Sequence, residues 1–96
     1  MINEILQVKI IRNYCSRLNL SENCVRKIEE ICDTFLKKKY MSNSGVNPRT
    51  FLAGAIYISS AMCRESRTEE DVANALGTTP ASLRKGKAVI LDELKL

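Results

Sequence analysis

The sequence predicts an all-α fold of five helices packed around the third, with the last two joined by a three-residue turn. Three observations carry that expectation. Apolar residues recur at helical rather than strand spacing along most of the chain. The only two prolines follow good capping residues, in Asn47-Pro48 and Thr79-Pro80. Proline suits a first helical position because the N–H it lacks would have no partner there. Finally, the stretch 51–62 is apolar or small nearly all round, so other helices must surround it. Ninety-six residues make one domain, expected to span 1–96.

The first helix is expected over about 3–17, where Ile5, Val8, Ile10 or Ile11, Tyr14 and Cys15 form the apolar stripe. Ser21 is a good N-cap for the second, about 22–40, and Glu22 stands at its positive end. Val25, Ile28, Ile31 or Cys32, Phe35 and Leu36 mark its buried face. Lys37, Lys38 and Lys39 form a basic run that could touch phosphate, though cations in a last turn already gain from the negative end of the dipole. Residues 41–46 read as a polar loop. The third helix, about 48–63, is the central one, and its small residues let neighbours approach closely. Thr68 caps a short fourth helix that begins with Glu69, Glu70 and Asp71 and stops at Gly77. The fifth runs from Pro80 to about Leu94.

Composition narrows the function classes. Hydrophobic residues at 45% and charged residues at 27% fit a soluble globule rather than a disordered tail. Fifteen Lys and Arg against eleven Asp and Glu leave +4, a mild bias toward polyanions that a solvated mixed surface explains equally well. Cys15, Cys24, Cys32 and Cys63 include no C-x-x-C pair, and there is no His, so neither zinc nor any other metal site is expected. With no secretory leader in view, they are expected to be reduced core thiols inside the cell. No apolar run reaches the roughly 20 residues that cross a bilayer. No nucleophile–base pair or phosphate-cradling glycine loop points to an enzyme, a cofactor or a small-molecule substrate. Glu69, Glu70 and Asp71 are better explained by the helix dipole than by acid–base work.

The informative segment is 68–85. A short helix carrying Val72, Ala73 and Leu76 ends at a glycine, the chain turns, and a second helix opens on a cap–proline pair. This is the pattern of a helix-turn-helix, expected over about 68–95, whose second helix lays its N-terminal end in the DNA major groove. Leu83, Gly86, Ile90 and Leu94 share one face of that helix, and Ala81, Ser82, Arg84, Lys85 and Ala88 the other. Gly86 costs about 1 kcal/mol against Ala inside a helix, which a close helix contact would justify. Arg84 offers a fork for guanine or phosphate, Ala81 an apolar contact for a thymine methyl, and Ser82 either kind of contact. Lys85 and Lys87 suit phosphate, although a solvated surface would carry the same residues.

Leu18-Asn19-Leu20-Ser21, Asn47-Pro48-Arg49-Thr50-Phe51-Leu52-Ala53-Gly54-Ala55-Ile56-Tyr57-Ile58, Arg67-Thr68-Glu69-Glu70-Asp71-Val72-Ala73-Asn74-Ala75-Leu76-Gly77 and Ser82-Leu83-Arg84 together resemble a cyclin-like repeat of transcription initiation factor IIB. The resemblance is strongest to the second, C-terminal repeat of the archaeal and eukaryotic factor and covers almost the whole chain. It implies a five-helix cyclin-like fold around a central third helix, ending in a helix-turn-helix. It also implies binding to double-stranded promoter DNA next to the TATA box, with TATA-binding protein as a partner. The family's base-contacting pair falls on Ala81 and Arg84, with Ala81 replacing the usual valine. Phosphate contacts would come from Lys85 and Lys87, with Arg64 and Arg67 flanking, and the family's aromatic residue after the turn is replaced by Lys87. Such a protein would sit in the nucleoid of an archaeal cytoplasm or in a eukaryotic nucleus.

These 96 residues match one repeat where the factor has two, and they include no zinc-ribbon cysteine pairs. It therefore reads either as a C-terminal fragment or as a free-standing relative. A different class also fits the residues: a cyclin-fold protein-interaction module that never touches DNA.

Overall fold

The computed structural model describes residues 8–37 and 48–94. Within them lie five helices and no strand: α1 (Val8–Arg17), α2 (Glu22–Lys37), α3 (Pro48–Met62), α4 (Glu69–Leu76) and α5 (Pro80–Leu94). The expected helical residues before Val8, the end of the second helix at 38–40, the 41–46 loop and the Asn47 cap lie outside the described residues. So do the side chains of Ile5, Val8, Phe35, Leu36, Lys37 and Leu94.

Helix α3 is central, as its all-round apolar composition requires. Every residue from Phe51 to Ser60 is buried except half-buried Tyr57. It packs against α2 and α4 and most extensively against α5. Phe51, Leu52 and Ile56 are wholly inaccessible, as are Leu83 and Ile90 across from them on α5. Each such side chain contributes about 1.5–3 kcal/mol relative to exposure.

Two glycines let α3 and α5 touch backbone to backbone. A Cβ on Gly86 would sit 2.2 Å from the Thr50 carbonyl oxygen, and one on Gly54 would sit 2.5 Å from the Lys87 amide nitrogen. Any side chain at either position would drive the helices apart. The close contact expected at Gly86 is therefore present, and its partner is the first turn of α3.

Polar braces tie the remaining elements together. The Arg12 guanidinium donates two 2.7 Å bonds to Glu22, joining α1 to the first turn of α2. Ser21 donates to Glu65 from its amide (2.8 Å) and its hydroxyl, fixing the start of α2 to the α3–α4 linker. All four cysteines are free thiols, with Cys15, Cys24 and Cys32 buried. Burial is the main cause that pushes Cys15 up to about 11 and Cys24 and Cys32 up to about 12, so these thiols stay protonated at neutral pH.

Candidate nucleic-acid interface

Local chemistry dictates how α4 hands the chain to α5. Thr68 Oγ1 accepts from the Asp71 amide at 3.0 Å, satisfying a donor that the first helical turn leaves free. At the other end Gly77 adopts φ 70, a left-handed conformation that costs an L side chain about 1–2 kcal/mol. The Gly77 and Thr78 amides then donate to the carbonyls of Asn74 (3.2 Å) and Ala73 (2.9 Å), closing α4 in a Schellman motif. Thr79 Oγ1 accepts from the Ser82 amide at 3.2 Å, and Pro80 opens α5. Buried Val72, Ala73 and Leu76 on α4 and Leu83 on α5 hold this pair of helices to the core.

With Leu83 inside, the residues on either side of it must face out. Ala81, Arg84 and Lys85 are exposed, and Ser82 is half-buried with its hydroxyl accepting from Thr79 at 3.2 Å. Lys85 makes no ion pair or hydrogen bond among the described residues. Lys87 is different. Its side chain is only 28% exposed, its ammonium lies 4.9 Å from the Tyr57 ring centroid, and it donates to Glu69 Oε2 at 3.2 Å. Arg84 is 63% exposed but also meets Glu69, with Nε and Nη2 at 3.0 and 2.9 Å from Oε1. The hydrogen bonds from Arg84 and then Lys87 hold the Glu69 carboxyl below its ordinary 4.5.

The α3–α4 linker residues stand apart from this cluster. Arg64 is exposed and has φ 60. Arg67 turns its guanidinium to the protein, donating to the carbonyls of Leu18 (2.8 Å), Asn19 (3.0 Å), Glu65 (2.6 Å) and Ser66 (3.2 Å). It thereby braces the α1–α2 turn, where Asn19 takes φ 56. An open cleft of about 560 Å³ lies beside it, lined by Arg17, Asn19, Asp71 and Asn74 among others.

Two residues in the neighbourhood are not evident from sequence spacing. Glu69 links α4 to two cations of α5, a pairing between elements that no helical period encodes. Arg49, exposed at the start of α3, brings its guanidinium beside the turn, 3.5 Å from where a Gly77 Cβ would lie. Among the described residues no group of three or more Cys, Asp or Glu could hold a metal ion. No helix there is long and apolar enough to cross a membrane.

The profile of the transcription factor TFIIB repeat matches residues 5–91, nearly the full chain. The chain belongs to the TFIIB repeat family. Its five helices around α3 are the all-α, cyclin-like fold of such a repeat. Curated relatives agree. Transcription initiation factor IIB 3 of Halobacterium salinarum is 38% identical over 71 residues, covering 74% of this chain and 22% of that protein. Transcription initiation factor IIB of Methanothrix thermoacetophila is 33% identical over 89 residues, covering 93% of this chain and 26% of that protein. The protein of the same name from Haloarcula vallismortis is 34% identical over 74 residues, covering 77% and 63% respectively. This TFIIB repeat thus spans about a quarter of the length of the first two relatives.

Proposed function

We propose that this TFIIB repeat is a DNA-binding domain that reads double-stranded promoter DNA next to the TATA box, in the company of TATA-binding protein. The whole of 1–96 acts as one domain, with 68–95 as its helix-turn-helix and α5 as the helix that enters the major groove. Arg84 reads a guanine through its planar fork and Ala81 packs on a neighbouring base edge. Ser82, Lys85 and Arg49 beside the turn meet phosphates, where a single donor or point charge suffices. Arg64 flanks them, while Arg67 and Lys87 act from behind by holding the scaffold. The work is binding rather than catalysis, carried out where the genome is.

The observation that supports this most strongly is the division of α5. Leu83 is wholly buried while its neighbour Arg84 is 63% exposed, so the first turns of the helix offer cations outward from a rigid seat. Family membership supports the choice of ligand. The test is duplex binding measured as salt rises. Contacts to phosphate release counterions, so affinity must fall steeply. Failure to bind any duplex, or binding indifferent to salt, contradicts the assignment.

A further inference from the structure

The geometry points to Glu69 as a positioning residue for base readout: its carboxylate grips one edge of the Arg84 guanidinium and leaves the opposite end of the fork to meet a guanine. This rests on the DNA-reading function proposed above. A guanidinium is planar and carries five N–H donors in fixed directions. In Arg84 the Nε and Nη2 edge is taken, since both atoms lie on Glu69 Oε1 at 3.0 and 2.9 Å. Nη1 has no partner among the described residues. It and the second hydrogen of Nη2 therefore form the free end, whose parallel donors match O6 and N7 of guanine.

Glu69 is itself held from below. Its Oε2 accepts from Lys87, whose ammonium rests over the Tyr57 ring. The backbone under it is fixed by the Thr68 cap. Exposure rises along this line, from 21% and 28% for the Glu69 and Lys87 side chains to 63% for Arg84. An arginine so supported loses less rotamer freedom when it meets a base than a free one would. A carboxylate at this surface also repels phosphate, so it works against indiscriminate binding while it sharpens the choice of base.

The test begins with duplexes enriched from a random pool by the wild-type chain. The guanine read by Arg84 is the position whose preference Arg84→Ala abolishes. Dissociation constants are then compared for the enriched duplex, for the same duplex with adenine at that position, and for random duplex. Glu69→Ala is expected to cut the guanine preference about fivefold or more while tightening binding to random duplex. Glu69→Gln keeps a carbonyl acceptor for Arg84 and should retain most of the preference. In an Arg84→Ala background, Glu69→Ala should leave base preference unchanged, which separates positioning from a structural role. Because the Glu69 side chain is only 21% exposed, thermal melts check that each variant folds.

An unchanged preference in Glu69→Ala overturns the assignment, as does a loss that persists without Arg84. So does tighter binding to the enriched duplex with its preference intact, because Glu69 would then be restraining Arg84 rather than aiming it. A wild-type chain that binds no duplex overturns the proposed function as well. Selective binding that needs Arg84 but not Glu69 overturns this inference alone.

Discussion

Arg84 and Lys85 are neighbours in sequence and both face solvent, yet their surroundings suit them to the different roles proposed for them. Arg84 is held in one orientation by Glu69, whereas Lys85 has no partner among the described residues. A held fork can discriminate bases, and a mobile ammonium can only neutralise charge. Arg84→Ala is therefore expected to weaken binding to an enriched duplex by about 1–3 kcal/mol and to relax preference at one base position, read by competition against single-base variants. The outward placement of Arg84 was legible in the sequence, because Leu83 must turn inward and adjacent residues on a helix diverge. The support beneath it was not. Glu69 reads in sequence as a dipole partner of α4, and only the approach of α5 reveals its second use. Arg67 likewise reads as a surface cation, because nothing in its spacing says that four carbonyls of the linker and the α1–α2 turn await it.

At the scale of elements, the α3–α5 contact decides whether the proposed recognition surface exists at all. Gly86 lies two residues beyond Arg84, and a Cβ there would sit 2.2 Å from the Thr50 carbonyl oxygen. Gly86→Ala must push the helices apart, because the new methyl would meet backbone, which cannot turn aside as a flexible side chain could. A loss of about 3 kcal/mol is expected, at the high end of overpacking costs, measured by urea unfolding. A loss below 1 kcal/mol would mean that the helices slide freely. Sequence alone anticipates the close contact at Gly86, where Ala would serve a helix better, and the turn at Gly77, where glycine suits a left-handed helix end. It also places α4 and the start of α5, because cap, glycine and proline are local signals. The partner of Gly86 is a matter of which helix crosses where, and apolar periodicity carries no such address.

For the whole molecule, three carboxylates report on assembly. Glu22 is held below its ordinary 4.5 by the Arg12 hydrogen bond, Glu65 by Ser21 and Glu69 by Arg84. Each joins two different elements of the fold. Because the folded values lie below the unfolded one, the unfolded chain takes up protons first as pH drops. Their contribution is complete above about 4.5 and disappears as pH falls through the lowered values. The melting temperature should hold steady above that point and decline below it, as thermal scans across the acid range would show. The family, and the five-helix plan over the described residues, were legible in the sequence, because the motifs that carry them are local and lie in order. The charge balance decided little, because +4 spread over the surface says nothing about which cations are spoken for. The central claim is that the outward face of α5 meets duplex DNA, and its most direct test is the logarithm of affinity against the logarithm of salt. The account predicts a straight fall with a slope of about −0.9 for each phosphate contacted, made shallower by about 1 in Lys85→Ala on every duplex alike. A slope near zero, or one that Lys85→Ala leaves unchanged, would contradict it.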